Sequence, residues 1–129
     1  MKFLVLLHMN PDRMSRLSPR EQHELQVDSA RSDEALMRAG KLIAAEALAD
    51  PGTALCVRKS GGALSVTDGP FVETKEHLGG FMLIEARDRE EAVRLVASDD
   101  DRFLDLGTIF EIRPIHDYRA LLASGRTTG

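Results

Sequence analysis

Two short segments of this chain, residues 2–8 and 80–86, are apolar at nearly every position. In a β-strand, successive side chains point to opposite faces, so a run that is apolar at both alternations buries both of its faces. The first run reads Lys-Phe-Leu-Val-Leu-Leu-His and the second Gly-Phe-Met-Leu-Ile-Glu-Ala. Both are therefore predicted to be central strands of a sheet that has a protein layer on each side.

Two helices are predicted from their capping signals. Ser18 and Glu21 form a capping box around a proline at the first helical position, and Gly40 ends that helix, which should run to about residue 39. A second capping box, at residues 88–91, opens a helix that ends near the acidic run at residues 99–101.

The remaining strands complete a recognisable order. They are predicted at residues 41–48, 53–59, 63–67 and 108–115. The middle pair forms a hairpin about a Ser-Gly-Gly turn. The order is that of a ferredoxin-like βαββαβ α+β unit with an inserted β-hairpin, whose helices lie on one face of an antiparallel sheet.

The face of the sheet without helices determines the expected assembly. Apolar side chains such as Phe3, Val5 and Leu7 are expected to point to that face. An exposed apolar patch of this size is uncommon on a monomer, so two copies are expected to pack sheet against sheet. The prediction is a homodimer, a dimeric α+β barrel with a cleft beside each interface.

Length and charge limit the function classes. The 129 residues suit one globular domain, predicted over residues 1–118 with a C-terminal tail at 119–129 and fraying from residue 124. The net charge of −4 and pI near 5.5, with scattered basic residues, argue against nucleic-acid or membrane binding. The single Cys56 lies in an apolar run typical of a buried structural thiol. No signal or spanning segment is recognised, which favours a cytoplasmic protein.

Residues 66–81 bring turn formers and ionisable groups together. Asp68 and the following glycine form a turn, Pro70 ends any strand pairing, and Gly79 with Gly80 permits a bulge or close backbone approach. Such a reversal can hold several ionisable groups near one point. A solvated loop with exposed charges is the alternative, and the spacing alone does not separate the two.

Other polar residues have plainer interpretations. His8 ends the first strand, where a rim residue is more common than a ligand, although clefts do open at strand ends. The aspartates at residues 99–101 are adjacent in sequence, so they cannot converge on one cation and indicate a solvated helix end. The histidines lack metal-ligand spacing, and no metal or cofactor is predicted; they are His8, His23, His77 and His116.

The segment Asp68-Gly-Pro-Phe-Val-Glu-Thr-Lys-Glu-His-Leu-Gly-Gly-Phe81 resembles the signature of the DGPF, or YCII-related, family of small bacterial proteins. The resemblance runs to about Tyr118 and extends to the opening Met-Lys-Phe-Leu, the Ser-Pro at Ser18, the Gly-Lys-Leu at Gly40 and the Ile-Arg-Pro-Ile that begins at Ile112. It implies a dimeric ferredoxin-like α+β barrel.

The same resemblance implies little about activity. Most members of the family are uncharacterised, some are encoded beside extracytoplasmic-function sigma factors, and some related YCII proteins are dehalogenating or lyase-like enzymes. The YCII enzymes are thought to use a His and Asp pair, but the spacing of His23 to Gly40 departs from that pattern, so the pair is not carried over. The residues that match the motif are Asp68, Glu73, Thr74, Lys75 and Glu76.

Two functional hypotheses follow. In the first, a small-molecule-binding protein or metal-independent acid–base enzyme uses Asp68 or Glu73 as base, Lys75 to hold an anionic substrate group, and His8 or His77 to transfer a proton. Its ligand-binding residues would be Thr74, Glu76 and His77. In the second, a non-enzymatic regulatory or interaction module, with a possible sigma-factor link, uses the motif only as structure, since no nucleophile–base signature is present.

Overall fold

The computed structural model describes residues 1–72, 74–97 and 101–123. These residues form six strands: β1 (Lys2–Met9), β2 (Leu42–Ala47), β3 (Leu55–Ser60), β4 (Ala63–Asp68), β5 (His77–Glu85) and β6 (Ile109–Pro114). The helices are α1 (Pro11–Ser15), α2 (Pro19–Arg38), α3 (Arg89–Val96) and α4 (Arg102–Asp105), with single 3₁₀ turns at Pro51–Thr53 and Tyr118–Ala120. The short helices and 3₁₀ turns were not predicted from the sequence.

The long helix α2 begins as its capping signal indicates. The Ser18 hydroxyl accepts from the Glu21 amide at 3.1 Å, and the Glu21 carboxylate accepts from the Ser18 amide at 3.0 Å. These bonds satisfy two amide donors that a helix start otherwise leaves unpaired. Gly40 follows the helix with a positive φ of 73°. The predicted capping box and helix end are confirmed.

The start of α3 departs from its prediction. The Asp88 carboxylate accepts from the Glu91 amide at 2.8 Å, as in a capping box, but the Glu91 carboxylate accepts from the Arg87 amide at 3.0 Å. Asp88 is nearly fully extended, with φ −159° and ψ 179°, and the amide that reaches Glu91 is the one before it. The reciprocal bond of a capping box was therefore wrongly predicted here. The helix ends at Val96, and the aspartates at 99 and 100 lie outside the described residues.

The main sheet is antiparallel and has the order β2-β5-β1-β6. With α2 between β1 and β2 and α3 between β5 and β6, this is the ferredoxin-like βαββαβ order, and β3 with β4 forms the inserted hairpin. The predicted α+β fold class is confirmed. Strand β5 begins at His77 rather than at the predicted Gly80. The register shifts between Leu7 and His8, so a bulge carries the strand past the Gly-Gly pair.

The core lies on the helix-covered face of this sheet. Phe3, Val5 and Ile84 are fully buried there, and Ala92 and Val96 of α3 pack in the same cluster. The prediction that Phe3, Val5 and Leu7 point to the uncovered face is wrong. Because β1 is apolar at both alternations, its sequence alone does not tell which alternation the helices cover.

The opposite, uncovered side is here called the open face. Leu4 and Leu6 of β1 lie on it, opposite Leu83 and Phe81 of β5. All four side chains are half-buried. The open face therefore differs from the core in that its apolar side chains remain partly exposed.

The hairpin β3–β4 is a second apolar surface. Its turn residues Gly61 and Gly62 have φ of 59° and 84°, as a two-residue turn of type I′ requires. Val57 lies opposite Val66, and both are about 60% exposed. Within the described ranges, no helix combines the length and the apolar character needed to cross a membrane.

Candidate functional site

A cleft of about 860 Å³ lies where the end of β1, the segment after β2, the turn after β4 and the start of β5 meet. Its apolar wall includes Leu48, Pro51, Ala54, Phe71, Val72 and Leu78. Its polar groups include His8, Asp50, Cys56, Thr74, Glu76 and His77. An apolar cleft with a few polar groups is the usual form of a small-molecule site.

His8 is a cleft residue whose imidazole pairs with a carboxylate side chain. Its Nε2 lies 2.9 Å from a carboxylate oxygen of Glu111 on β6. The register brings this pair together, since Leu6 is opposite Glu111 and His8 is opposite Ile109 on the same face of the sheet. The His8 side chain is 31% exposed and that of Glu111 46%, so the pair is accessible from solvent.

Glu111 was missed as a site residue in the sequence. The alternation of β6, with Phe110 and Ile112 on one face and Glu111 on the other, was visible. What the sequence lacks is the β1–β6 register that sets Glu111 beside His8, more than a hundred positions away in the chain. The sequence shows only an acidic residue that alternates with apolar residues along a strand. That pattern is common on protein surfaces and does not by itself indicate a site.

The turn after β4 is fixed to the wall of the cleft. The Gly69 amide donates to the Ala54 carbonyl at 2.7 Å, and Gly69 has a positive φ of 95°. The Cys56 thiol donates to the Gly69 carbonyl at 3.3 Å, so this half-buried cysteine supports the turn while lining the cleft. The Arg58 guanidinium lies over the Phe71 ring, 5.8 Å from its centroid.

The structure brings some of the sequence-predicted residues into the cleft and leaves others out. His8, Thr74, Glu76 and His77 line it, and the Thr74 hydroxyl donates to the Glu76 backbone carbonyl. Asp68, exposed at the end of β4, and the exposed Lys75 do not line the cleft. Glu73 lies outside the described residues.

Asp50 is a cleft residue that sequence reasoning treated only as a boundary. Its carboxylate accepts from the Gly52 amide at 2.8 Å and caps the 3₁₀ turn at Pro51–Thr53. The signal was the Asp-Pro-Gly sequence, which predicts a turn but not that the turn forms a wall. One carboxylate thus holds the cleft wall in shape and contributes negative charge to it.

The clearest shifts in carboxyl pKa occur outside this cleft. The Arg87 amide, with Lys41 and Arg87 nearby, lowers the pKa of Glu91 at the start of α3. Burial raises the pKa of Asp33 on α2, which lines a second cavity of about 380 Å³ between the helices and the sheet. Within residues 1–72, 74–97 and 101–123, no group of three or more His, Cys, Asp or Glu side chains is placed to hold a metal ion.

A family model and a curated relative both match nearly the whole chain. The family model described as the YCII-related domain matches residues 1–119. An uncharacterised protein of Rhizobium meliloti (strain 1021) is 31% identical over 119 residues, which is 92% of this chain and 95% of that protein.

One solved structure is also similar. It is the 5-chloro-2-hydroxyhydroquinone dehydrochlorinase of Burkholderia phenoliruptrix AC1100 in complex with 2,5-dihydroxybenzoquinone. The sequences are 19% identical, the match covers 92% of this chain and 98% of that one, and the TM-score is 0.45.

Proposed function

The chain belongs to the YCII-related domain family, and from that premise we propose that it binds a small molecule in the cleft beside the Asp68–Phe81 segment and acts on it by acid–base chemistry. The proposed chemistry uses side chains alone and is of the proton-transfer type that lyases and dehalogenating enzymes use. The observation that carries it is the hydrogen bond between His8 and Glu111 at the rim of an apolar cleft.

The pair has the parts that a general base needs. If the His8 Nε2–H donates to Glu111, Nδ1 keeps its lone pair and can take a proton from a bound molecule. The Glu111 carboxylate would then stabilise the imidazolium that forms, as an acceptor behind a catalytic histidine does. Within the described residues, Nδ1 of His8 has no hydrogen-bond partner, which supports this division of roles.

The residues predicted from the sequence have different roles in this proposal, according to whether they line the cleft. Thr74, Glu76 and His77 are proposed to contact the ligand, because they line the cleft. Asp68 and Lys75 lie outside its lining and are assigned no contact with the ligand, and Glu73 keeps its place as a prediction from the motif. The proposed proton acceptor is His8.

A proton-abstraction assay tests the enzymatic part without knowledge of the substrate. The carbon acids cyclohexanone and hydroxyacetone are incubated with the protein in deuterated buffer, and deuterium uptake is followed by proton NMR. The protein should accelerate exchange of at least one of them, and His8→Asn should reduce that acceleration by about 10²–10⁴-fold. His23→Asn, a change of the same kind on the exposed face of α2, is the matched control and should leave the rate unchanged.

Glu111→Gln separates a proton-transfer pair from a lone histidine. Its rate should fall, but less than that of His8→Asn, because an amide carries no charge that could stabilise an imidazolium. Exchange no faster than in buffer, or equal rates for His8→Asn and the wild type, would contradict the enzymatic proposal.

A homodimer is part of the proposal. The open face exposes parts of Leu4, Leu6, Phe81 and Leu83, and apolar surface of this kind is usually covered by another chain. A second copy that packs face to face would cover it and would close one side of the cleft at His8. This assembly remains a proposal, as does the cytoplasmic location.

The hairpin favours a second candidate function, a non-enzymatic interaction module. Its outer side carries Leu55, Val57, Leu64 and Val66, each at least 60% exposed. Val57→Lys with Val66→Glu would keep the cross-strand pair and place two charges in the middle of this apolar surface. If loss of the surface abolished the biological effect while the His8→Asn variant kept it, this function would replace the first. The sigma-factor link rests on the resemblance alone.

A further inference from the structure

The described lining of the cleft contains carboxylates but no lysine or arginine. From this we propose that its ligand is a small organic cation, an ammonium group attached to an apolar body. The inference rests on the proposed function, because it assigns a ligand class to the same cleft. It also differs from the sequence-based expectation of an anionic substrate held by Lys75.

The charges of the lining are one-sided. Asp50 and Glu76 are the carboxylate side chains of the described lining. Glu111 adds a third carboxylate directly behind His8. An anion bound here would meet these carboxylates with no lysine or arginine in the described lining to offset them, and such like-charge contacts are one way in which binding sites exclude a class of ligand.

The nearest basic groups do not reverse this balance. The Arg58 guanidinium lies over the Phe71 ring and outside the lining, and Lys75 is exposed between two lining residues without joining them. Both side chains are exposed to solvent, where water and salt screen their charge.

The apolar wall sets the rest of the ligand. Residues such as Leu48, Val72 and Leu78 would cover a hydrocarbon body, and this excludes water from around the charged group. Coulomb attraction increases as the effective dielectric falls, so a carboxylate at the edge of an apolar wall attracts an ammonium more strongly than one in open water.

Three probes of one shape and different charge test the ligand class. Benzylamine, benzyl alcohol and benzoate share the same ring, and near neutral pH they are cationic, neutral and anionic. Binding to the full chain is measured by NMR, from the side-chain signals of His8 and His77 and the amide signals of Thr74 and Glu76. Benzylamine should bind about tenfold or more tightly than benzoate, with benzyl alcohol between them.

Two charge-matched variants locate the preference. Glu76→Gln should weaken benzylamine severalfold and leave benzyl alcohol unchanged. Glu34→Gln removes the same charge from the exposed side of α2 and should change neither. An equal loss in both variants would trace the preference to net charge and overturn the role of the cleft.

The failure of this inference is distinguishable from failure of the proposed function. Benzoate binding as tightly as benzylamine, with shifts at His8 and His77, would overturn the cationic ligand and leave the acid–base cleft standing. If none of the three probes moved those signals at millimolar concentration, both the ligand class and the cleft as a binding site would be overturned.

Discussion

The two faces of the main sheet are built from the same strands and are packed differently. On the covered face, Phe3, Val5 and Ile84 are fully buried among helix residues. On the open face, the half-buried Leu4 and Leu6 lead along β1 to His8 and its partner Glu111. The difference teaches that alternate residues of one strand can lie in a sealed core and on a surface that contacts solvent, so substitutions one position apart should have different effects.

The largest effect is expected at Phe3. Phe3→Ala should lower the free energy of unfolding by about 3–5 kcal/mol, because it leaves a cavity in a fully buried cluster. Urea unfolding at one fixed protein concentration measures this. Leu4→Ala, the next residue on the open face, is the control and should lose much less. Similar losses for both would remove the distinction between the faces.

The next effect concerns the open face itself. Leu83→Glu places a charge opposite Leu4, away from the His8–Glu111 pair, and should weaken self-association at least about a hundredfold, or about 2.7 kcal/mol. Analytical ultracentrifugation measures the association, and circular dichroism checks the fold. Val93→Glu, at an exposed apolar position of α3, is the control and should associate like the wild type. A wild-type chain that is monomeric at every concentration would contradict the dimer.

A smaller effect is expected at the Gly-Gly pair of β5. A Cβ at Gly80 would lie 2.9 Å from the Glu46 backbone carbonyl, which β2–β5 pairing holds in place, so Gly80→Ala should cost about 1–3 kcal/mol. At Gly79 the nearest atoms belong to the flexible Met9 side chain, which can move aside. Gly79→Ala should therefore cost less in thermal unfolding, and the reverse order would show that Met9 is held rigidly.

Much of the fold was predictable because its signals are local. The Ser18–Glu21 capping box, the Gly61–Gly62 turn and the two doubly apolar strands each depend on neighbouring residues. The choice of face was not predictable in the same way. Leu4 and Phe3 are both apolar, and only the packing of α3 against one alternation decides between them.

The candidate site was predictable in part for the same reason. His8, Thr74, Glu76 and His77 were named from position and motif, and all of them line the cleft. Glu111 depends on the pairing of β1 with β6, which links distant parts of the chain. A turn signal such as that of Asp68 fixes the backbone and does not tell where the side chain points, so the motif predicts the position of the cleft wall more reliably than which of its side chains line the cleft.

The smallest effect lies at the edge of the covered face, where Asp33 shares a cavity with Leu7, Leu36 and Met82. Burial raises the pKa of Asp33, so the folded chain holds this proton more tightly than the unfolded chain and loses stability as pH rises through the interval between the two pKa values. Asp33→Asn should therefore be more stable than the wild type near neutral pH, with the advantage gone below the ordinary pKa of an aspartate.

Glu91→Gln is the control of opposite sign. The hydrogen bond from the Arg87 amide is the chief cause that lowers the pKa of Glu91, so this variant should be less stable than the wild type near neutral pH and equal to it in acid. Thermal unfolding measured across pH gives the stability of both variants. An Asp33→Asn variant as stable as the wild type at neutral pH would show that the charged Asp33 carboxylate does not destabilise the covered face.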